Sequence, residues 1–344
     1  MSYTVDEDIT VASTLPGKFY SDPAAFELLK EGVFARTWQW IGTLDDVAQP
    51  GSLAPRTLLP GYLDEPLMLA RDGEGTLRCL SNVCTHRGNL LVKAPCRAKE
   101  IRCGYHSRRF ALDGRMTFMP EFAGAKDFPR PADDLPKLPF AEWAGQGFVG
   151  LETAVPFEAF FGEALASVGK DPVAQLTHDA SRDREFAVNA NWALYVENYL
   201  EGFHIPFVHA GLNQVVDYGS YSSELQRYSN LQLARDKQGK VAARYWWIFP
   251  NLMLNFYPWG LSLNLVEPQA IDRTRVVFRS FVWDASKLET GAGAGLDRVE
   301  AEDEAIVEAV QRGVRSRLYQ AGRYSPTRER GVHQFHRLLA EFLE

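Results

Sequence analysis

The sequence predicts an α+β protein, an all-β unit followed by a larger unit that combines an antiparallel sheet with a long C-terminal helix. Three observations lead there. Between about Ile41 and Leu151 short apolar runs alternate with turn residues, and Asp72-Gly73 and Asp113-Gly114 are hairpin signals. From Arg184 to about Ala285 a second set of strand-like runs appears, with Lys237–Lys240 (KQGK) as a hairpin turn. From Leu296 to Ala321 the apolar residues recur instead at helical spacing.

The 344 residues are enough for two cores, and 46% apolar with 24% charged residues is ordinary globular composition. A formal charge of -7 without a contiguous basic stretch argues against nucleic acid as a partner. The acidic start, MSYTVDEDITVASTLPG, lacks a secretory h-region, and no apolar run approaches the ~20 residues that cross a bilayer, so the cytoplasm is the expected compartment and no membrane partner is expected. Four cysteines are too few for a disulfide-built scaffold of this length, which leaves metal ligation to consider.

In chain order, residues 1–40 read as an N-terminal segment packing on the larger unit. Its amphipathic helix runs from Pro23 to Trp40, with Phe26, Leu29, Val33 and Phe34 on one face and Asp22 as cap. Residues 41–151 form the all-β unit, in which the five prolines from Met116 to Pro139 mark a wrapping loop. The remainder, 152–344, opens with a short helix (PFEAFFGEALASVGK) and continues through the strands to a flexible hinge at Thr290–Gly295, TGAGAG. The last long helix carries Val307, Val310 and Val314 as its apolar stripe, with Ile306 and Leu318 at the flanks; Asp303 is in line with that stripe, and Glu302 points about a quarter turn away.

The stretch Trp192–His209, WALYVENYLEGFHIPFVH, sets Asn198, Glu201, His204 and His209 among residues that belong in a core. Such groups are buried only when paired or bound to a metal. In a regular helix Glu197, Glu201 and His204 share a side, whereas His209 falls about 140° from His204. Pro206 lies between the histidines and supplies a reason for a kink that brings them together.

A second constellation pairs Cys84-Thr85-His86 with Cys103-Gly104-Tyr105-His106, after sixteen intervening residues. Two such loops can hold one zinc in a Cys2His2 site. They can also hold a [2Fe-2S] cluster with two thiolates on one iron and two imidazoles on the other, where neutral histidines make the cluster easier to reduce. Cys79 and Cys96 read as buried thiols, His333 and His336 as exposed residues of a terminal helix, and His178 as a loop residue. The aromatic run from Tyr245 through Trp259 is first of all sheet core, with some members facing a substrate pocket by strand alternation.

CTHRG and CGYHSRRFALDGR resemble the two loops of Rieske domains, NYLEGFHIPFVH resembles the N-x-x-E-x-x-H-x4-H element of Rieske non-heme iron oxygenases, and AEDEAIVEAVQRG resembles their carboxylate-bearing helix. The resemblance runs over nearly the whole chain in the expected order. It implies a Rieske domain holding a [2Fe-2S] cluster through Cys84, His86, Cys103 and His106. It also implies a helix-grip catalytic domain holding mononuclear Fe(II) through His204, His209 and Asp303, with Glu302 as the alternative third ligand. Alone, Asp303 would read as an acid in the first turns of its helix, favoured by the helix dipole; with the histidines it reads as a ligand. By the same resemblance Glu201 connects this iron to a cluster histidine of a neighbouring subunit in a homotrimer. Taken by itself, it is a buried acid awaiting an arginine. Asn198 is either a group behind the ligands or a satisfied core amide. Many relatives have tryptophan two residues after the second cluster histidine, where this chain has Arg108.

The implied function is that of a terminal oxygenase component using dioxygen and electrons from a separate NAD(P)H-dependent reductase or ferredoxin. DGEGTL lacks the strand-turn-helix setting of a dinucleotide fingerprint. Length and the EDEAIVEAVQRG helix resemble the branch with choline, betaine and carnitine monooxygenases, which implies hydroxylation or oxidative N- or O-demethylation of a small molecule. Aromatic-ring cis-dihydroxylation is the alternative within the class. A Rieske electron carrier without oxygenase activity and a zinc-stabilised binding module are alternatives outside it.

Overall fold

The computed structural model describes residues 3–153, 155–168 and 171–344. They form two compact units: one comprises Trp38–Thr153, and the other joins the N-terminal segment to the chain from Ala154 onward.

The smaller unit is all-β. A five-stranded sheet has the order Cys96–Arg97, Ser52–Leu58, Glu65–Arg71, Leu77–Ser81, Lys137–Leu138. Gln39–Thr43, Gln146–Val149 and Phe140–Trp143 make a second sheet, and Ile101–Arg102, Arg109–Phe110 and Met116–Phe118 a third. The Asp72 hairpin forms because its side-chain Oδ1 accepts from the backbone N–H of Glu74 and Thr76, at 3.0 and 2.9 Å. The core gathers Leu53, Met68, Leu80, Ile101 and Phe110 around the thiols of Cys84 and Cys103.

In the larger unit an eight-stranded antiparallel sheet runs Thr177–His178, Arg273–Val282, Gly260–Ala270, Leu252–Tyr257, Val241–Ile248, Ser229–Arg235, Ser222–Leu225, with Arg184–Val188 also paired to Arg273–Val282. The Trp192–Tyr199 helix packs on this sheet and on the Leu296–Val314 and Arg330–Phe342 helices. Trp192 anchors it, fully buried with its ring edge-on to Phe34 at 4.9 Å and Phe335 at 5.6 Å.

Several expectations are corrected. The Pro23–Leu29 helix is capped by Asp22 as expected, but it widens into a π turn at Lys30–Phe34, and Gln39 already begins a strand. The expected short helix spans Phe157–Val168, and Gly169 and Lys170 lie outside the described residues. The long helix stops at Val314, leaving Leu318 95% exposed, and its valine stripe is incomplete because Val310 is 42% exposed. TGAGAG is not a free hinge: Ala292 and Gly293 are buried, and a Cβ on Gly293 would lie 2.3 Å from Trp259 Nε1. Cys96 is exposed, whereas His333 and His336 are buried, the latter with Nδ1 2.6 Å from the Tyr324 hydroxyl and Nε2 3.0 Å from Glu197. His178 belongs to a strand and pairs with Asp183 at 2.9 Å.

Candidate functional site

Asn191 caps the Trp192–Tyr199 helix, its Oδ1 accepting from Ala193 N at 3.0 Å. The helix ends before Pro206. Leu200 closes the last turn on the carbonyls of Val196 and Glu197, and the chain then turns through Glu201–Phe203. At this turn Gly202 meets the Tyr221 ring so closely that a Cβ would lie 2.7 Å from it, which is why the position is glycine. Glu201 Oε2 accepts from His204 N at 3.0 Å and starts the short Ile205–Val208 helix, in whose first turn Pro206 needs no donor. The kink expected at Pro206 is therefore a break four residues earlier.

This break brings the two imidazoles together. Their Nε2 atoms are 3.1 Å apart, and Asp303 Oδ1 lies 3.0 Å from His209 Nε2 and 3.4 Å from His204 Nε2. Each ring is held from behind by a carboxylate: Glu201 Oε1 is 2.7 Å from His204 Nδ1, and Glu302 Oε2 is 2.8 Å from His209 Nδ1. A carboxylate accepts, so each Nδ1 carries the proton and each Nε2 presents a lone pair. Two lone pairs and a carboxylate oxygen within 4.8 Å of one another repel unless a proton or cation lies between them. The donor set fits a divalent transition metal of the two-histidine, one-carboxylate kind. Burial opposes charge on His209, but Asp303 and Glu302 outweigh it and raise its pKa, the response of a site that draws positive charge.

The triad borders a cavity of about 120 Å³. Strand register builds one wall: Tyr245 pairs with Asn255, Asn255 with Ser262, and Asn264 with Phe278, so alternate residues of neighbouring strands face the same space. Tyr199, Tyr221 and Tyr257 complete an aromatic lining, with Tyr199 donating to Asn255 Oδ1 at 2.6 Å. From the aromatic run, Tyr245 and Tyr257 line the cavity, whereas Trp246, Trp247, Phe249, Phe256 and Trp259 are buried outside that lining. Asn198 also lines it, beside Tyr199 and Glu201.

Glu300, one helical turn before Asp303, faces the cavity while 6% exposed. Tyr195 donates to its carboxylate, at 2.8 and 2.7 Å from the two oxygens. Burial pushes its pKa up to about 8. Neither Glu300 nor the outer role of Glu302 was legible in sequence. The signal for the cavity wall was present, however, in isolated polar residues (Asn255, Ser262, Asn264) within strands apolar on both faces.

In the smaller unit the two loops share one design. The Cys84 carbonyl accepts from Gly88 N at 3.0 Å and the Cys103 carbonyl from Ser107 N at 3.1 Å, with Gly88 and Ser107 both in the left-handed region. The His86 and His106 rings lie 4.8 Å apart between centroids. Both thiols are buried; Asn89 Nδ2 and Tyr105 N donate to Cys103 Sγ at 3.6 and 3.4 Å, stabilising a thiolate. His106 Nδ1 is buried without a hydrogen-bond partner. An orphaned imidazole nitrogen beside two buried thiols suits an iron-sulfur cluster with mixed ligands.

The chain matches the model of the ring hydroxylating alpha subunit catalytic domain over residues 172–230 and 219–344, and that of the Rieske [2Fe-2S] domain over residues 37–129. It is 29% identical to choline monooxygenase, chloroplastic, of Arabidopsis thaliana, over 95% of this chain and 82% of the relative. It is 27% identical to the carnitine monooxygenase oxygenase subunit of Escherichia coli K12, over 96% and 94%. A crystal structure of the quaternary ammonium Rieske monooxygenase CntA with an inhibitor superposes with a TM-score of 0.81 at 26% identity, covering 100% of both chains. No helix among the described residues is long and apolar enough to cross a membrane.

Proposed function

Because this chain belongs to the Rieske non-heme iron oxygenase family, we propose that it oxidises a small organic cation by single-oxygen insertion, through hydroxylation or oxidative N- or O-demethylation. The observation that carries the reading is the carboxylate left over in the cavity wall. Asp303 belongs to the triad and Glu201 is engaged by His204, whereas Glu300 faces the cavity and no lysine or arginine is among the described lining residues. A cation from outside would compensate the buried acid, and the five tyrosines of the lining offer aromatic rings to methylated nitrogen. The relatives named for choline and carnitine support this chemistry.

His204, His209 and Asp303 would hold the mononuclear iron; Cys84, His86, Cys103 and His106 would hold the cluster. When bound, the iron supplies a place for dioxygen activation and the cluster supplies single electrons. The chain's own residues do the rest. Glu201 and Glu302 keep protons on the outer nitrogens and fix both rings, the tyrosines exclude water, and Asn255, Ser262 and Asn264 offer hydrogen bonds to a polar end of the substrate.

Electrons come in this reading from an NAD(P)H-dependent reductase or a ferredoxin, and pass between copies of the chain through Glu201. Phe203 and Phe207, beside Glu201, are 40% and 79% exposed, and Tyr105, beside His106, is 56% exposed. Apolar surface at both ends of the route supports a head-to-tail trimer that covers it. The cytoplasm is the proposed compartment, where the remaining thiols, Cys79 and Cys96, stay reduced.

Turnover under isotopically labelled dioxygen, with a panel of methylated ammonium compounds and neutral aromatics, tests the proposal. One labelled oxygen per turnover, in an alcohol or released aldehyde from a cationic substrate, is expected. A diol carrying two labels would instead make the protein a ring cis-dihydroxylating dioxygenase. Turnover of neutral aromatics alone would overturn the cation assignment.

A further inference from the structure

Arg108 is 2% exposed, although a guanidinium is among the costliest groups to bury. It lies between the rings of Phe110 and Phe128, its Cζ 5.8 and 5.5 Å from their centroids. One nitrogen, Nη2, donates to Asp133 Oδ1 at 2.6 Å, while Nε is buried without a partner. The pair is tied to both cluster loops. The Arg108 carbonyl accepts from Cys103 N at 2.8 Å, and the Asp133 carbonyl accepts from Thr85 Oγ1 at 2.7 Å. Phe110 shares a core with Cys84 and Cys103, and Phe128 packs against it.

A permanent positive charge thus sits in the low-dielectric wall behind the four ligand residues. Reduction of a cluster adds one electron and one unit of negative charge. A nearby buried cation favours the reduced state, and a nearby anion opposes it.

We propose that Arg108 is a positioning residue whose buried charge raises the reduction potential of the cluster held by Cys84, His86, Cys103 and His106, with Asp133 as its partial counterweight. The inference rests on the cluster reading of those four residues. It assigns the two members of one ion pair opposite effects, whereas a role confined to holding the loops together gives them the same effect, since breaking the pair from either side loosens the same contact.

The test is an EPR-monitored potentiometric titration of the full-length protein and its variants, with iron and acid-labile sulfide measured in each preparation. Arg108→Met is expected to move the midpoint to more negative potential, Arg108→Lys to restore it towards wild type, and Asp133→Asn, which keeps an oxygen to accept from Arg108, to move it to more positive potential. Arg108→Met and Asp133→Asn shifting in the same direction, or an unshifted midpoint in Asp133→Asn, would overturn the proposal. Should Arg108→Met lose its cluster, the sign of the Asp133→Asn shift decides alone. A wild-type protein without iron and sulfide would instead remove the cluster reading beneath it.

Discussion

Glu302 holds His209 by Nδ1 at 2.8 Å, on the side of the ring opposite Asp303, which lies 3.0 Å from Nε2. Hydrogen bonds from His209 and from Arg298 hold the Glu302 carboxyl below its usual pKa, so it is ionised and accepts at neutral pH. Removing such an outer partner costs about 10–100-fold in metal affinity. Glu302→Ala is therefore expected to lose iron at the triad by that factor while the cluster absorbance stays unchanged, as read by iron titration. Wild-type iron affinity in the variant would leave Glu302 without this role.

Glu201 spends both oxygens on His204, one on the ring and one on the backbone N–H. Glu201→Gln can still support the turn but no longer sets a negative charge against the His204 ring. Cluster oxidation after mixing reduced protein with substrate and dioxygen should slow at least ~10-fold, with iron retained. An unchanged rate in rapid-mixing absorbance would count against the electron route.

Glu300 titrates near pH 8 because burial disfavours its charge. Binding of a permanent cation favours the ionised form, so affinity for a quaternary ammonium ligand should rise by up to ~10-fold per pH unit towards pH 8 and level above it. Glu300→Gln should flatten that profile. Because the folded pKa lies above the ordinary value, the stability Glu300 contributes is complete below the ordinary glutamate range and is lost as pH rises through about 8. Ligand-free Glu300→Gln should consequently be more resistant to urea than wild type at pH 9, by about 1–3 kcal/mol, with the difference vanishing in acid.

Gly293 and Gly291 lie two residues apart under different constraints. A methyl on Gly293 would overlap the Trp259 indole, whereas Gly291 has open space around it but a left-handed φ of 62°. Gly293→Ala should cost about 1–3 kcal/mol in thermal or urea unfolding. Gly291→Asn should cost well under that, since asparagine tolerates the left-handed region. Equal effects would return the segment to a free hinge.

The architecture was readable because its signals are local. Alternating strands, Asp-Gly turns and a helix of period 3.6 each arise within a few residues, and the ligand-like spacings of Cys84, His86, Cys103 and His106 lie on two such loops. Readings failed where burial depended on what lies opposite. His333 and His336 looked like the polar face of a terminal helix, yet the N-terminal segment covers them: His333 Nε2 is 2.7 Å from the Asp6 carbonyl and His336 Nε2 is 3.5 Å from the Tyr20 hydroxyl. Val310 looked like core and faces away from it.

What the chain's order of residues determined by itself was the inventory of donors and the class of fold that carries them: two thiol-imidazole pairs, two histidines five apart, and acids on a late helix. Only the tertiary structure decided how those acids divide their work. Asp303 meets the inner nitrogens, Glu302 the outer nitrogen of His209 across 93 residues of sequence, and Glu300 the cavity with Tyr195. Three carboxylates within four residues of one helix point in three directions about its axis, and each acquires its partner from whichever element packs on that side.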